Sequence, residues 1–236
     1  MINLKIGEKR VGLPNQWNEL KLRDYEKIYT IIKNGLTDEE LTEIEETETD
    51  VEKISHKQME RGLKNLKLNR EIFCQMTGLD QSVVDKTNHK DIMHALTLMS
   101  NFLNEDAQKK YNGKFVEKGF KLKNKTYYFP IEKMTESTFG DFIETSQLDM
   151  LSKKQEGGKF SVIAEQMAIL CREKGEVYDE DKISKKKRLF ADVTMDVVWD
   201  FVFFLTGRIN IWNKNIQTFL KTETETKTDT QPHIGT

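Results

Sequence analysis

Residues Tyr127–Met150 read YYFPIEKMTESTFGDFIETSQLDM. The aromatic start favours an extended strand, and Pro130 ends it because proline has no N–H to donate and a fixed φ. Thr135 then stands where an N-cap is needed, ahead of a helix carrying Phe139, Phe142, Ile143 and Leu148. A fainter copy runs from Leu13 to Ile32 as LPNQWNELKLRDYEKIYTII. At one constant offset Trp17 answers to Met134, Glu19 to Glu136, Leu22 to Phe139, Asp24 to Asp141 and Tyr25 to Phe142. This match predicts an internal duplication, with Tyr25 and Phe142 in matching core positions of two similar halves.

Working outward, Ile2–Ile6 alternates apolar and polar residues as a strand does, and Gly12 and Pro14 close it. Leu22, Tyr25, Ile28, Tyr29 and Ile32 recur at helical spacing up to Asn34-Gly35, with Trp17 placed to fold back on the helix start. Residues 36–55 are acidic and lack a convincing apolar face, which predicts a solvated loop or a weak helix, with an acidic interaction segment as the alternative. From His56 a helix resumes with Met59, Leu63, Leu66, Ile72, Phe73 and Met76 as its apolar stripe, and Thr77-Gly78 stops it. Asp80 precedes a short turn with Val83 and Val84, and Asn88 caps a helix bearing Ile92, Met93, Leu96, Met99 and Phe102.

FKLKNKTYYF alternates about Asn124-Lys125, which predicts a β-hairpin. A helix follows over Phe160–Lys174, then a charged turn region over Gly175–Lys187. Leu189 to Leu205 reads as the most apolar helix of the chain, continued at helical spacing through Trp212 and Phe219. The expected fold is mainly α, with two similar helical halves and a small β-hairpin between them. The halves are 1–104, including the acidic loop 36–55, and 105–220; the polar tail 221–236 is expected to be disordered alone.

Lys and Arg number 37 against 39 Asp and Glu, so the net charge of −2 gives no global attraction to nucleic acid or to an acidic membrane. MINLKIGEKR lacks the apolar core of a secretory signal, and no apolar run approaches the roughly 20 residues of a membrane span. Cys74 and Cys171 lie in apolar helical patterns, which suits buried thiols in a reducing compartment, with a disulfide between them as the alternative. No phosphate-binding glycine loop is present, since Lys153-Lys154 precedes Gly157-Gly158 in the wrong order. His89 and His94 are five residues apart and do not share a helical face, so no metal site is expected. No catalytic or cofactor-binding residue stands out.

The candidate surfaces are therefore protein-interaction surfaces. One is the basic run Lys185, Lys186, Lys187 and Arg188, whose bland reading is a solvated helix start. The other is the helix around Trp199, Phe203 and Phe204, extended by Trp212 and Phe219. A helix apolar on all sides must be covered on all sides, by the chain's own core or by a partner.

Five pieces, in order, carry a resemblance: LPNQWNELKLRDYEKI, TGLD at Thr77–Asp80, KTYYFPIEKMTESTFGDFIE, AEQMAILCREKGEVYDED and VVWDFVFFL. Together they resemble a family of proteins encoded by tailed phages of gut bacteria, crAss-like phages included. The acidic stretch 36–55 and the polar end after Leu220 depart from the family pattern. The resemblance implies a virion protein assembled in the bacterial cytoplasm: a non-enzymatic ring or connector subunit of the portal-to-tail region. Its partners would be copies of itself and neighbouring portal, ring or tail proteins, with no membrane and no direct nucleic-acid binding. A tail-assembly chaperone shielding a tape-measure-like client is the alternative, and a small intracellular enzyme the third reading.

Overall fold

The computed structural model describes residues 1–35, 51–103, 119–130 and 139–206, apart from the side chains of 51–55, 57, 139 and 142. The fold is mainly α, with two small antiparallel hairpins. The chain divides into two units, Met1–Val198 and Trp199–Thr236.

Strands β1 (Ile2–Ile6) and β2 (Lys9–Leu13) pair with Ile6 opposite Lys9, across a two-residue turn in which Gly7 takes a φ of 60°. That left-handed φ is costly for any residue with a Cβ. Alternation sends Leu4 and Ile6 inward and leaves Asn3 and Lys5 exposed. The single strand expected here is thus half of a hairpin. Trp17 follows in a short 3₁₀ turn, Trp17–Glu19, and its ring lies 5.7 Å from Tyr25 and 4.7 Å from Phe102.

Helix α1 (Leu22–Gly35) buries Leu22 and Ile28. It packs against α2 (Val51–Thr77) on one side and α6 (Phe160–Leu170) on another. Tyr25 and Tyr29 both meet the Phe160 ring edge-on, at 4.8 Å. Gly158 serves this contact: it has a φ of 51°, and a Cβ there would lie 3.0 Å from the Tyr29 ring. Burial, with Tyr29 adding to it, pushes the Tyr25 hydroxyl up from 10.0 to about 12. A raised native pKa means stability is full below the unfolded value and is lost as pH climbs through the native one. Urea midpoints should therefore fall between about pH 10 and 12, and Tyr25→Phe should flatten part of that fall; Tyr178, also raised to about 12, supplies another part.

Helix α2 begins at Val51, earlier than expected, and spans 27 residues, about 40 Å. Thr77 is its last residue, and Gly78, with a φ of 69°, turns the chain out of it. Helix α3 (Gln81–Asp85) follows Asp80, and α4 (His89–Leu103) follows Asn88, whose side chain accepts the Lys90 N–H at 2.9 Å. Met99 and Ala95 of α4 are fully buried. The acidic residues 36–50 and the expected half boundary after Asn104 lie outside the described residues.

The second hairpin, β3 (Gly119–Leu122) and β4 (Lys125–Tyr128), turns at Lys123-Asn124, one residue earlier than expected, with Lys123 at a φ of 54°. Phe120 and Tyr127 stack across the strands at 5.7 Å, and Phe190 meets both rings edge-on. Helix α5 (Phe139–Ser152) follows, then α6 and α7 (Glu180–Phe190). A hairpin followed by a helix therefore occurs twice. Met134, Glu136 and the Phe142 side chain lie outside the described residues.

Two expectations are corrected here. The charged stretch 175–187 is not all turn: Asp179 accepts the Asp181 N–H at 3.2 Å and starts α7 at Glu180, so the basic run is helical. The apolar run from Leu189 to Leu205 is not one helix: α7 ends at Phe190, and α8 runs over 195–206. The break is tertiary. Leu22 N–H donates to the Val193 carbonyl at 2.8 Å, Met195 N–H to the Leu20 carbonyl at 2.8 Å, and Arg23 N–H to the Ala191 carbonyl at 3.0 Å. Asp192 faces Lys21 and Arg23 at the same crossing. Backbone pairing with the entry to α1 thus takes the polar groups a continuous helix would have used itself.

Candidate interaction surfaces

The basic run does not form a free patch. Lys186 turns inward and is 9% exposed. Its ammonium donates to the Cys171 carbonyl at 2.8 Å and to the Glu176 carboxylate at 3.2 Å. It also lies 5.7 Å from the Tyr127 ring centre and 5.9 Å from that of Phe190. Lys187 donates to Glu165 at 2.7 Å. Lys185 and Arg188 are exposed. Two of the four cations are therefore tied into the fold. Lys186→Ala should cost about 1–3 kcal/mol by stranding a buried carbonyl and a carboxylate. Lys185→Ala should stay within about 0.5 kcal/mol, with paired denaturation curves as the check.

On α8, Phe201 and Phe204 are buried, while Trp199 and Phe203 are half-buried with their rings 6.2 Å apart. Trp212 and Phe219 lie outside the described residues. Cys171 is fully buried, which pushes its thiol well above the ordinary range, and Cys74 is half-buried; both are free.

Helix α5 turns polar groups inward: among its described side chains Asp141, Thr145 and Ser152 are buried and Leu148 is half-buried, while Ile143, Met150 and Leu151 are 40%, 68% and 52% exposed. The inner side is held by polar contacts. Arg172 donates to Asp141 at 2.7 Å and to the Ile169 carbonyl at 3.3 Å, and Gln166 of α6 donates to the Thr145 carbonyl at 3.2 Å. The guanidinium lies 5.6 Å from the Tyr178 ring centre, and the Tyr178 hydroxyl donates to Glu144 at 2.9 Å. Asp141 sits in the first turn of α5, where a carboxylate is favoured by the helix dipole.

The second uncovered apolar face was missed in sequence. Met59, Leu63 and Leu66 of α2 belong to the stripe expected to be buried, yet they are 68%, 51% and 40% exposed; Ile72 and Phe73, further along, are buried. Where the stripe stays open, α2, α3 and α4 enclose an open groove of about 310 Å³. Leu63 and Leu66 form one wall, Ile92 and Met93 the other, and the buried Val84 and Leu96 lie beneath. Arg70 donates to Asp85 at 2.8 Å across one side, and Lys67 and His89 also line it. Half-exposed leucines leave roughly 1 kcal/mol each of hydrophobic stabilisation unrealised. The signal that sets these residues apart was available only as charge: Arg61, Lys64 and Lys67 interleave with Leu63 and Leu66.

Among the described residues no cluster of three or more His, Cys, Asp or Glu could hold a metal ion, and no helix is long and apolar enough to cross a membrane. No protein-family model, curated protein or solved structure matches the chain.

Proposed function

We propose that the chain is a non-enzymatic structural subunit of a tailed-phage virion, a ring or connector protein of the portal-to-tail region. The observation that supports it is α5, which turns Ile143, Met150 and Leu151 outward while Asp141, Thr145 and Ser152 are buried. Exposed apolar side chains on one helix gain by packing against another protein. In a closed ring each copy covers such a face on its neighbour, and each face is used once. The engagement of Lys186 and Lys187 with Glu176 and Glu165 fits partners that are proteins rather than nucleic acid. Mass analysis of purified virions tests the reading. The chain should be present at a fixed multiple per particle, and its absence from mature particles would overturn the assignment.

A second reading has its own support in the open groove on α2. A tail-assembly chaperone would offer such a groove to an apolar helical client, such as a tape-measure protein, and then leave. It predicts co-purification with that client from infected cells and no chain in finished virions.

A further inference from the structure

We propose that the groove between α2, α3 and α4 receives an acidic amphipathic helix from a partner protein. The inference rests on the reading of the chain as a protein-binding subunit, but not on which particle or client it serves.

The shape comes first. At about 310 Å³ the groove lies at the small end of the range for ligand sites, and it is open rather than enclosed. Its walls are aliphatic side chains, Leu63 and Leu66 against Ile92 and Met93. Its polar groups do not converge on a point: one terminal nitrogen of Arg70 donates to Asp85 at 2.8 Å, and the Arg70 Nε is buried within the wall. A small polar molecule would find little to bind. A row of apolar side chains would find a trough between two helices, which is how an amphipathic helix is read by a helical groove. Met59 and Leu63 are four residues apart, and Leu63 and Leu66 three, so the wall continues along α2 as one stripe beyond the groove. A partner helix of several turns therefore has continuous apolar surface to follow.

Charge selects the partner. Around the stripe α2 carries Arg61, Lys64 and Lys67, against Glu60 alone between residues 58 and 67. On the far wall stands His89, and beyond it the exposed Lys90 and Asp91 offset one another. Among the described residues the one carboxylate lining the groove, Asp85, is already held by Arg70. A helix with carboxylates flanking its apolar anchors meets an attractive field, whereas a basic helix meets repulsion.

The test uses the full chain and a labelled synthetic peptide with leucines at i, i+3, i+4 and i+7 flanked by glutamates, read by fluorescence anisotropy. A second peptide has lysines in place of the glutamates. The acidic peptide should bind saturably and weaken with added salt, and the lysine peptide should bind about tenfold more weakly or worse. Leu66→Glu should weaken the acidic peptide by roughly tenfold or more. Lys67→Glu should weaken it less and reduce the salt dependence. Leu66 is 40% exposed and Lys67 is exposed, so both variants should keep the parental urea midpoint.

No binding, equal binding of the two peptides, or binding indifferent to both substitutions would overturn the proposal. So would a concentration-dependent dimer that Leu66→Glu abolishes, which would give the groove to a second copy. Acidic-peptide binding that appears only after residues 37–49 are removed would give it to the chain's own acidic stretch, and the proposal would fall. A virion without the chain would end the structural-subunit reading while leaving the peptide result intact, so the two failures are distinguishable.

Discussion

Arg172→Ala is expected to lower the unfolding free energy by about 3–5 kcal/mol, the usual cost of breaking a buried ion pair by removing one partner. The carboxylate it serves is 1% exposed, so the substitution strips a cation from a charge that water cannot reach. The reciprocal change, Asp141→Ala, should cost less. Arg172 is 18% exposed, donates to the Ile169 carbonyl and lies over the Tyr178 ring, so its charge keeps other company. Asp141→Asn should be milder still, because the shape and one acceptor oxygen remain. Guanidinium denaturation of the three variants checks the order, and a double-mutant cycle isolates the pair. Equal losses for Arg172→Ala and Lys185→Ala would mean that the α5–α6 interface is not held by this pair. The consequence reaches the proposed function, because with Asp141 and Thr145 held inward Ile143, Met150 and Leu151 face outward.

The second large effect belongs to α2. Phe73→Ala should cost about 3–5 kcal/mol, since the ring is fully buried and its removal leaves a cavity. Leu63→Ala, ten residues earlier on the same stripe, should change stability by no more than about 0.5 kcal/mol. The contrast is the sharpest test of where α2 stops being core and becomes surface. If Leu63→Ala proved as damaging as Phe73→Ala, the groove would be filled in the isolated chain, and the proposed docking site would not exist. Both are read as midpoint shifts at unchanged denaturant slope, which separates lost stability from a change in the unfolded state.

Much of the fold was legible because it rests on local chemistry. Asn88 caps α4 through its own side chain, and Gly78 ends α2 by taking a left-handed φ open to few other residues. The alternation of Ile2–Ile6 and the aromatic pairing of Phe120 with Tyr127 follow from a period of two. The helical stripes of α1 and α4 follow from 3.6. None of this depends on what lies across the molecule.

The candidate surfaces were less legible, for a different reason. Periodicity shows that Met59, Leu63, Leu66 and Phe73 share a face, but the neighbour that covers Phe73 and spares Leu63 comes from elsewhere in the chain. Lys186 looks like any other member of a basic run. It is made structural by the Cys171 carbonyl, Glu176 and the rings of Tyr127 and Phe190, which only folding assembles. Asp141 matches Asp24 in the repeated motif, yet Asp141 is buried while Asp24 is half-buried, and the difference is the arrival of Arg172.

The Tyr127–Met150 stretch shows the division. By itself the sequence determined a strand, a proline stop and a helix, because strand and helix signals are short-range. Tertiary structure alone decided which side of that helix faces in. The α6 end presents Arg172 and Gln166 to Asp141 and Thr145, and satisfying buried polar groups outweighs covering Ile143, Met150 and Leu151, whose exposure costs less than an unpaired buried charge.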